Sequence, residues 1–167
     1  MKITLATATA AALLTLAAPR TSRAQDLGIT VGTHAPAASV TTLAGARANL
    51  SQFVGKGPAL VEFWATWCPN CKELEPTMDR AAAKYGSRVR FVRVAVNVNE
   101  KPALVKAYVA KYKLPGEHFY DTDGAATDAY DVPATSYVVL LDRAGKVVYT
   151  GLGGKQDLDA AIQKVLR

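Results

Sequence analysis

The chain has 167 residues, of which 50% are hydrophobic and 20% are charged. That length suits one domain with a hydrophobic core, and the composition excludes a fibrous or disordered protein. The formal net charge is +6, but the Lys and Arg residues are scattered rather than clustered, which argues against a nucleic-acid partner.

The first 24 residues have the features of a secretory signal peptide. Lys2 gives a positive start, residues 3–18 are uncharged, and Ser22-Arg23-Ala24 places small residues at −3 and −1 of a cleavage site. The alternative is an uncleaved membrane anchor, but about 16 apolar residues fall short of the ~20 that span a bilayer. We therefore expect a periplasmic or otherwise extracytoplasmic protein, in which cleavage leaves a net charge of +3.

Turn residues divide the rest of the chain into an irregular lead-in, residues 25–36, and one domain, residues 37–167. Residues 39–43 (SVTTL) alternate in the manner of a strand, and Gly45 provides a turn into a second short strand. We therefore expect an N-terminal β-hairpin before the main sheet.

The centre of the domain predicts a buried strand followed directly by a long helix. Residues 59–65 are apolar, β-branched and aromatic, as in a strand that is buried on both faces. The helix begins near Cys68 and ends at Gly86, because Pro69 suits a first turn and apolar residues then recur at helical spacing. Pro76 falls inside that apolar stripe, so we expect a kink there.

The second half of the domain alternates strands and helices. An extra helix stands before the last β-hairpin, and the whole order predicts an α/β domain with a mixed central sheet and helices on both faces. The predicted elements are a strand at 89–96, a helix at 102–112, a short strand at 118–120, a short helix or turn at 123–130, a strand at 135–141, its hairpin partner at 147–150 and a closing helix at 156–166.

The two cysteines of the chain are Cys68 and Cys71. A disulfide between them closes almost no chain loop and stabilises the fold little, so the pair is better explained as a redox couple. A helix N-terminus stabilises a thiolate, so we expect Cys68 to be the exposed attacking thiol and Cys71 to be the more buried resolving thiol. Half of a zinc site is the alternative, but His34 and His118 lie on irregular or remote segments.

Glu62 places a charge in the middle of the otherwise apolar strand, six residues before Cys68. A carboxylate buried there must serve a purpose, and burial raises its pKa towards the value that a proton acceptor needs. We therefore expect Glu62 to take the proton of Cys71 when that thiol attacks. The alternative is a position open to solvent, which the apolar flanks disfavour.

The sequence FWATWCPNCK, residues 63–72, resembles the thioredoxin superfamily, as do Pro76 and the pair Val132-Pro133 about 60 residues later. The N-terminal hairpin, the extra helix and the last hairpin are similar to one branch, the exported TlpA/ResA-like thiol-disulfide oxidoreductases. The resemblance covers roughly residues 32–167. It implies a thioredoxin-like fold and disulfide exchange through the dithiol.

The resemblance also implies substrate-binding residues around the dithiol. Pro133 matches the cis-proline that lies against the dithiol and presents the Val132 backbone to a substrate strand, which is recognition by strand addition. Trp67 matches the aromatic residue beside the nucleophile, and Pro69 and Asn70 lie between the cysteines. The residues alone leave the isomer of the Val132–Pro133 bond open, since only about 5–6% of X–Pro bonds are cis.

The sequence departs from the superfamily pattern at two points. Many relatives carry proline directly before the second cysteine, whereas here Pro69 follows the first and Asn70 fills that slot. The neutral Asn70 stabilises a thiolate less than the histidine found there in strong periplasmic oxidants. The second departure is Ala134, which replaces the commoner threonine after Pro133. Glu62, by contrast, agrees with the pattern, because it stands where thioredoxins carry a buried acid.

These observations predict an exported thiol-disulfide oxidoreductase without a cofactor. We expect it to reduce disulfides of client proteins, for example in cytochrome c or copper-centre maturation, and to be recharged by a membrane electron donor. A disulfide-forming oxidant or isomerase is one alternative, and a copper-delivery module that uses His118 is another. We expect a monomer.

Overall fold

The computed structural model describes residues 27–167, so the predicted signal peptide, residues 1–24, lies outside the described residues. Within that described range, no helix combines the length and the apolar character needed to cross a membrane. The lead-in that remains, residues 27–36, has no helix, and its one regular feature is a single bridge between His34 and Lys146.

The helices and strands follow the predicted order, with small shifts at their ends. In chain order they are β1 (Ser39–Thr42), β2 (Arg47–Asn49), a 3-10 turn (Leu50–Gln52), β3 (Ala59–Trp64), α1 (Pro69–Tyr85), β4 (Arg90–Ala95), α2 (Pro102–Tyr112), β5 (Glu117–Tyr120), α3 (Ala125–Ala129), β6 (Tyr137–Leu141), β7 (Val147–Leu152) and α4 (Leu158–Val165).

The strands of residues 27–167 form one mixed sheet in the order β2-β1-β5-β4-β3-β6-β7. β3 lies parallel to β4 and antiparallel to β6. The parallel pair needs a crossover connection, which α1 supplies.

Every residue of β3 is buried, so Glu62 is inside the sheet and the alternative of a solvent-exposed position is wrong. The predicted class, an α/β domain with a mixed central sheet, is confirmed.

Helices cover both faces of this sheet. Side chains alternate between the faces along each strand, so Glu62 lies on the same face of β3 as Leu60. That face packs against α1 and α4, through Leu60, Phe91, Val138, Leu140, Leu74, Met78, Leu158 and Ile162. The opposite face packs against the 3-10 turn and α3, through Val61, Phe63, Val92, Val139, Leu50, Ala126 and Tyr130.

The helix that carries the dithiol begins and ends at the predicted residues. Cys68 is the N-cap of α1 and Pro69 occupies the first turn, where its missing N–H costs nothing. At the other end Gly86 is the C-cap, and its N–H donates to the Ala82 carbonyl at 2.8 Å. Pro76 lies in the helix interior, at the position of the predicted kink.

Candidate active site

Cys68 and Cys71 form a disulfide at the N-terminus of α1. The Cys68 Sγ accepts a hydrogen bond from the Cys71 N–H at 3.0 Å, so this sulfur satisfies one of the unpaired donors of the helix end. The prediction that Cys68 is exposed is wrong for this oxidised form, because Cys68 is 2% exposed and Cys71 is 1% exposed. The sulfur turns back over the first helical turn, while Trp67, Pro69 and Asn70 form the exposed surface.

The segment after β4 forms hydrogen bonds with the loop between β3 and α1, which leads into the dithiol. Glu100 is buried, and its Oε2 accepts the backbone N–H of Thr66 at 2.7 Å. The indole N–H of Trp67 donates to the Val98 carbonyl at 3.0 Å, although the side chain is 44% exposed. Glu100 is not among the predicted site residues, and the available signal was an acidic residue shortly after a buried strand. These contacts orient the backbone that presents Cys68.

An apolar groove of about 300 Å³ opens beside Trp67. It brings together Trp67, Val132 and Pro133, three of the predicted substrate-binding residues. The valines Val96 and Val98, which follow β4, belong to the same lining. Pro69 and Asn70 do not line this groove; they are exposed in the first turn of α1.

The Val132–Pro133 peptide bond is trans, as are all peptide bonds of residues 27–167. The cis-proline implied by the resemblance is therefore wrong for this structure, which has the lower-energy isomer of an X–Pro bond. The Val132 N–H donates to the Thr127 carbonyl at 3.0 Å. The predicted pairing of the Val132 backbone with a substrate is consequently limited to the Val132 carbonyl.

Glu62 lies in a buried cluster of two carboxylates and one guanidinium. Arg93, its partner in register on β4, places Nε 2.7 Å from Glu62 Oε2, and both side chains are fully buried. The two terminal nitrogens of Arg93 donate to the two oxygens of Glu75 on α1, at 2.6 and 3.0 Å. The Arg93–Glu62 contact is an ion pair rather than an aligned hydrogen bond, and Glu62 Oε1 has no hydrogen-bond partner within residues 27–167.

The cluster raises the pKa of Glu62. Burial raises the pKa of Glu62 above its ordinary value, the charge of Arg93 lowers it, and the charge of Glu75 raises it further. Burial alone would lower the pKa of Arg93, but the Glu62 and Glu75 carboxylates outweigh that effect and raise it, so Arg93 stays charged. One guanidinium and two carboxylates are electrically neutral only when one carboxyl carries a proton.

The two histidines considered as metal ligands lie elsewhere in the fold. His118 is on β5, opposite Arg93, and its Nε2–H donates to the Leu114 carbonyl at 3.0 Å. His34 lies in the lead-in, across from Lys146. No three or more His, Cys, Asp or Glu side chains of residues 27–167 are grouped so that they could hold a metal ion.

A mixed sheet whose central strand leads into a helix with a Cys-x-x-Cys N-terminus defines the class of thioredoxin-fold redox proteins. The model of the Redoxin family matches residues 30–166. The chain therefore belongs to the Redoxin family and is a TlpA/ResA-like thiol-disulfide oxidoreductase of the thioredoxin superfamily.

Individual relatives support the same family. The chain is 31% identical over 137 residues to the thiol-disulfide oxidoreductase ResA of Bacillus thuringiensis. That alignment covers 81% of this chain and 78% of the ResA protein. The chain is 30% identical over 138 residues to the thioredoxin-like protein YneN of Bacillus subtilis, covering 81% and 80%. A crystal structure of a thiol:disulfide interchange protein from Chlorobium tepidum superposes with a TM-score of 0.69 and 25% identity, covering 83% of this chain and 99% of that one.

Proposed function

We propose that the protein is an extracytoplasmic reductant of client-protein disulfides, of the kind needed for cytochrome c or copper-centre maturation. The observation that carries this direction is that the two residues between the cysteines, Pro69 and Asn70, are uncharged, while the Cys68 sulfur receives only the Cys71 N–H from the helix end. A positive side chain there would stabilise the thiolate and hence the reduced form, which is how a strong oxidant is made.

The reaction transfers two electrons in two exchange steps. The Cys68 thiolate attacks one sulfur of a client disulfide, so that a Cys68–client bond forms and the other client sulfur leaves as a thiolate. Cys71 then attacks Cys68, the Cys68–Cys71 bond forms, and the second client sulfur leaves. The client is reduced, and the protein is left as the disulfide described above.

Glu62 is the proposed proton acceptor for the second step. Cys71 must lose its proton to attack, and a buried carboxylate with a raised pKa is a suitable base. The unpartnered Oε1 of Glu62 is the atom that accepts this proton. Arg93 holds the other oxygen and keeps the carboxylate in place.

The apolar groove is the proposed client-binding surface. An extended client segment packs an uncharged, apolar side chain beside Trp67, since apolar residues make up most of the groove lining. A client N–H pairs with the Val132 carbonyl, so strand addition contributes one main-chain bond at this residue. A membrane-bound dithiol then reduces the Cys68–Cys71 disulfide and completes the cycle.

The reduction potential of the Cys68–Cys71 couple tests the proposed direction. Equilibration with glutathione buffers, read by the fluorescence of Trp64 and Trp67, gives the value directly. A potential near that of thioredoxin, about −270 mV, supports a reductant that needs an electron supply. A potential approaching about −120 mV would make the protein an oxidant and would overturn the proposal.

A further inference from the structure

Glu75 is the second carboxylate of the buried cluster. It lies four residues after Cys71 on α1, so the two side chains share one face of the helix one turn apart. Its side chain is 17% exposed, whereas those of Glu62 and Arg93 are fully buried. Of the three side chains in the cluster, that of Glu75 lies on α1, the helix that begins at the dithiol.

The two carboxylates use different edges of the Arg93 guanidinium. Glu75 binds the terminal nitrogens with both oxygens, at 2.6 and 3.0 Å, which is the strong bidentate geometry. Glu62 contacts only Nε, at 2.7 Å and through a single oxygen. Glu75 and Glu62 thus interact with the same positive charge, and Glu75 makes two hydrogen bonds to it where Glu62 makes one contact.

We propose that Glu75 is a positioning residue for the proton transfer. From α1, Glu75 binds the two terminal nitrogens of Arg93, which leaves only Nε in contact with Glu62. This arrangement keeps Glu62 able to accept the Cys71 proton. This inference rests on the proposed role of Glu62 and deepens it. Without Glu75, the whole charge of Arg93 would act on Glu62 alone, and Glu62 would hold a proton less readily.

The other titratable groups around the cluster do not supply this effect. Burial lowers the pKa of His118 on β5 and raises the pKa of Tyr108 on α2, so both are uncharged at neutral pH. Asp79, one turn after Glu75 on α1, is exposed to solvent, and it is not among the charges that shift the pKa of Glu62. From β6, the neighbour of Glu62 in register is the apolar Val138.

The variant Glu75→Gln tests the proposal in the full oxidised protein. Its side chain keeps the shape of Glu75 but removes the negative charge. Titration of the Glu62 carboxyl by ¹³C NMR should then show a midpoint about one pH unit lower than in the wild type, because a competing charge next to Arg93 is gone. The matched control is Glu73→Gln on the same helix, where the glutamate is 46% exposed and lies 3.9 Å from Lys155; it should leave the Glu62 midpoint unchanged.

A second measurement separates this inference from the proposed function. The pH profile for resolution of a Cys68 mixed disulfide should shift down by a similar amount in Glu75→Gln and should lose the corresponding inflection in Glu62→Gln. If Glu62→Gln keeps the inflection, the proton role of Glu62 fails. If Glu62→Gln removes it but Glu75→Gln leaves the NMR midpoint of Glu62 unmoved, only the role of Glu75 is overturned.

A shorter variant covers the case in which Glu75→Gln does not fold. Glu75→Asp keeps the charge but withdraws it by one methylene, so both oxygens cannot keep their contacts with Arg93. The Glu62 midpoint should move in the same direction by a smaller amount, and an unmoved midpoint in folded Glu75→Asp overturns the proposal.

Discussion

Two sulfur atoms at the start of α1 have unequal positions, and this difference decides their roles. The Cys68 Sγ accepts an N–H at the helix end, where negative charge is stabilised, whereas Cys71 lies inside the first turn. The first sulfur is suited to attack a client and the second to release it.

Replacing each cysteine by serine should therefore have different effects. Cys71→Ser cannot resolve the first exchange, so it should accumulate covalent adducts between Cys68 and client proteins, which non-reducing electrophoresis detects. Cys68→Ser should form no such adducts, because the remaining Cys71 lies inside the first turn of α1 and not at the N-cap. Equal amounts of adduct from the two variants would contradict the assigned roles.

Glu62→Gln should change how stability depends on pH. The folded-state pKa of Glu62 is raised above 4.5, mainly by burial, so between that pH and the folded-state pKa the native protein binds a proton that the unfolded chain has released. Wild-type stability therefore falls as pH rises through this window, by up to ~1.4 kcal/mol per unit of pKa difference.

Urea unfolding between about pH 4 and 8 measures this difference. The wild-type stability should decline relative to that of Glu62→Gln, which has no proton to lose at this position. Glu117→Gln, at a partly exposed glutamate, is the control, and it should follow the wild type. A parallel course of the wild type and Glu62→Gln would mean that Glu62 does not titrate in this window.

The residues of the site differ in how far the sequence reveals them. The cysteines are recognisable from their spacing, and Glu62 from its charge within an apolar strand. Arg93 and Glu75 are not, because their contacts depend on the register of β3 against β4 and on how α1 lies across both strands. The trans isomer at Pro133 and the bond from Val132 to Thr127 likewise depend on tertiary packing rather than on local preference.

At the scale of elements, the N-terminus of α1 sets the redox properties of the dithiol. The helix end supplies the Cys71 N–H to the Cys68 sulfur, and Pro69 and Asn70 add no charge. Substitutions in this exposed turn should therefore alter the potential without disturbing the core.

Asn70→His should raise the reduction potential by about 30 mV or more below the pKa of the introduced imidazole, which corresponds to ~1.4 kcal/mol of added preference for the reduced form. A protonated histidine stabilises the Cys68 thiolate and hence the dithiol. The glutathione equilibrium measures the shift, and Asn70→Gln is the neutral control. An unchanged potential in Asn70→His would show that this slot does not act on Cys68.

The loop between β3 and α1 depends on the segment after β4. Glu100→Ala removes the acceptor of the Thr66 N–H, and a buried unpaired donor costs about 1–3 kcal/mol. The free energy of unfolding should fall by that amount, and the emission of Trp67 should change because its loop is less constrained. Glu117→Ala, at a partly exposed glutamate that pairs with Arg90, is the control and should cost much less. Equal losses would argue against the anchoring role.

At the scale of the whole molecule, most of the architecture follows from patterns in the sequence. The apolar run of β3, the helical stripe of α1 and the turn before β7 each predict their element locally, and their order indicates a mixed sheet. The strand order β2-β1-β5-β4-β3-β6-β7 is not visible in any local pattern, because it depends on contacts between segments far apart in the chain. The observed ends of the elements also differ from the predicted ends by a few residues. At β6 the strand begins at Tyr137 and not at residue 135, because Ser136 adopts a positive φ of 65° and its N–H donates to the Phe63 carbonyl.

The unpartnered Oε1 of Glu62 also has an electrochemical consequence. If oxidation of the dithiol leaves the Cys71 proton on Glu62, that proton stays with the protein and does not leave with the two electrons. The slope of potential against pH counts the protons that do leave, at about 30 mV per pH unit for each proton that accompanies two electrons. A change of slope near the Glu62 midpoint would thus report, in millivolts, on one buried oxygen atom.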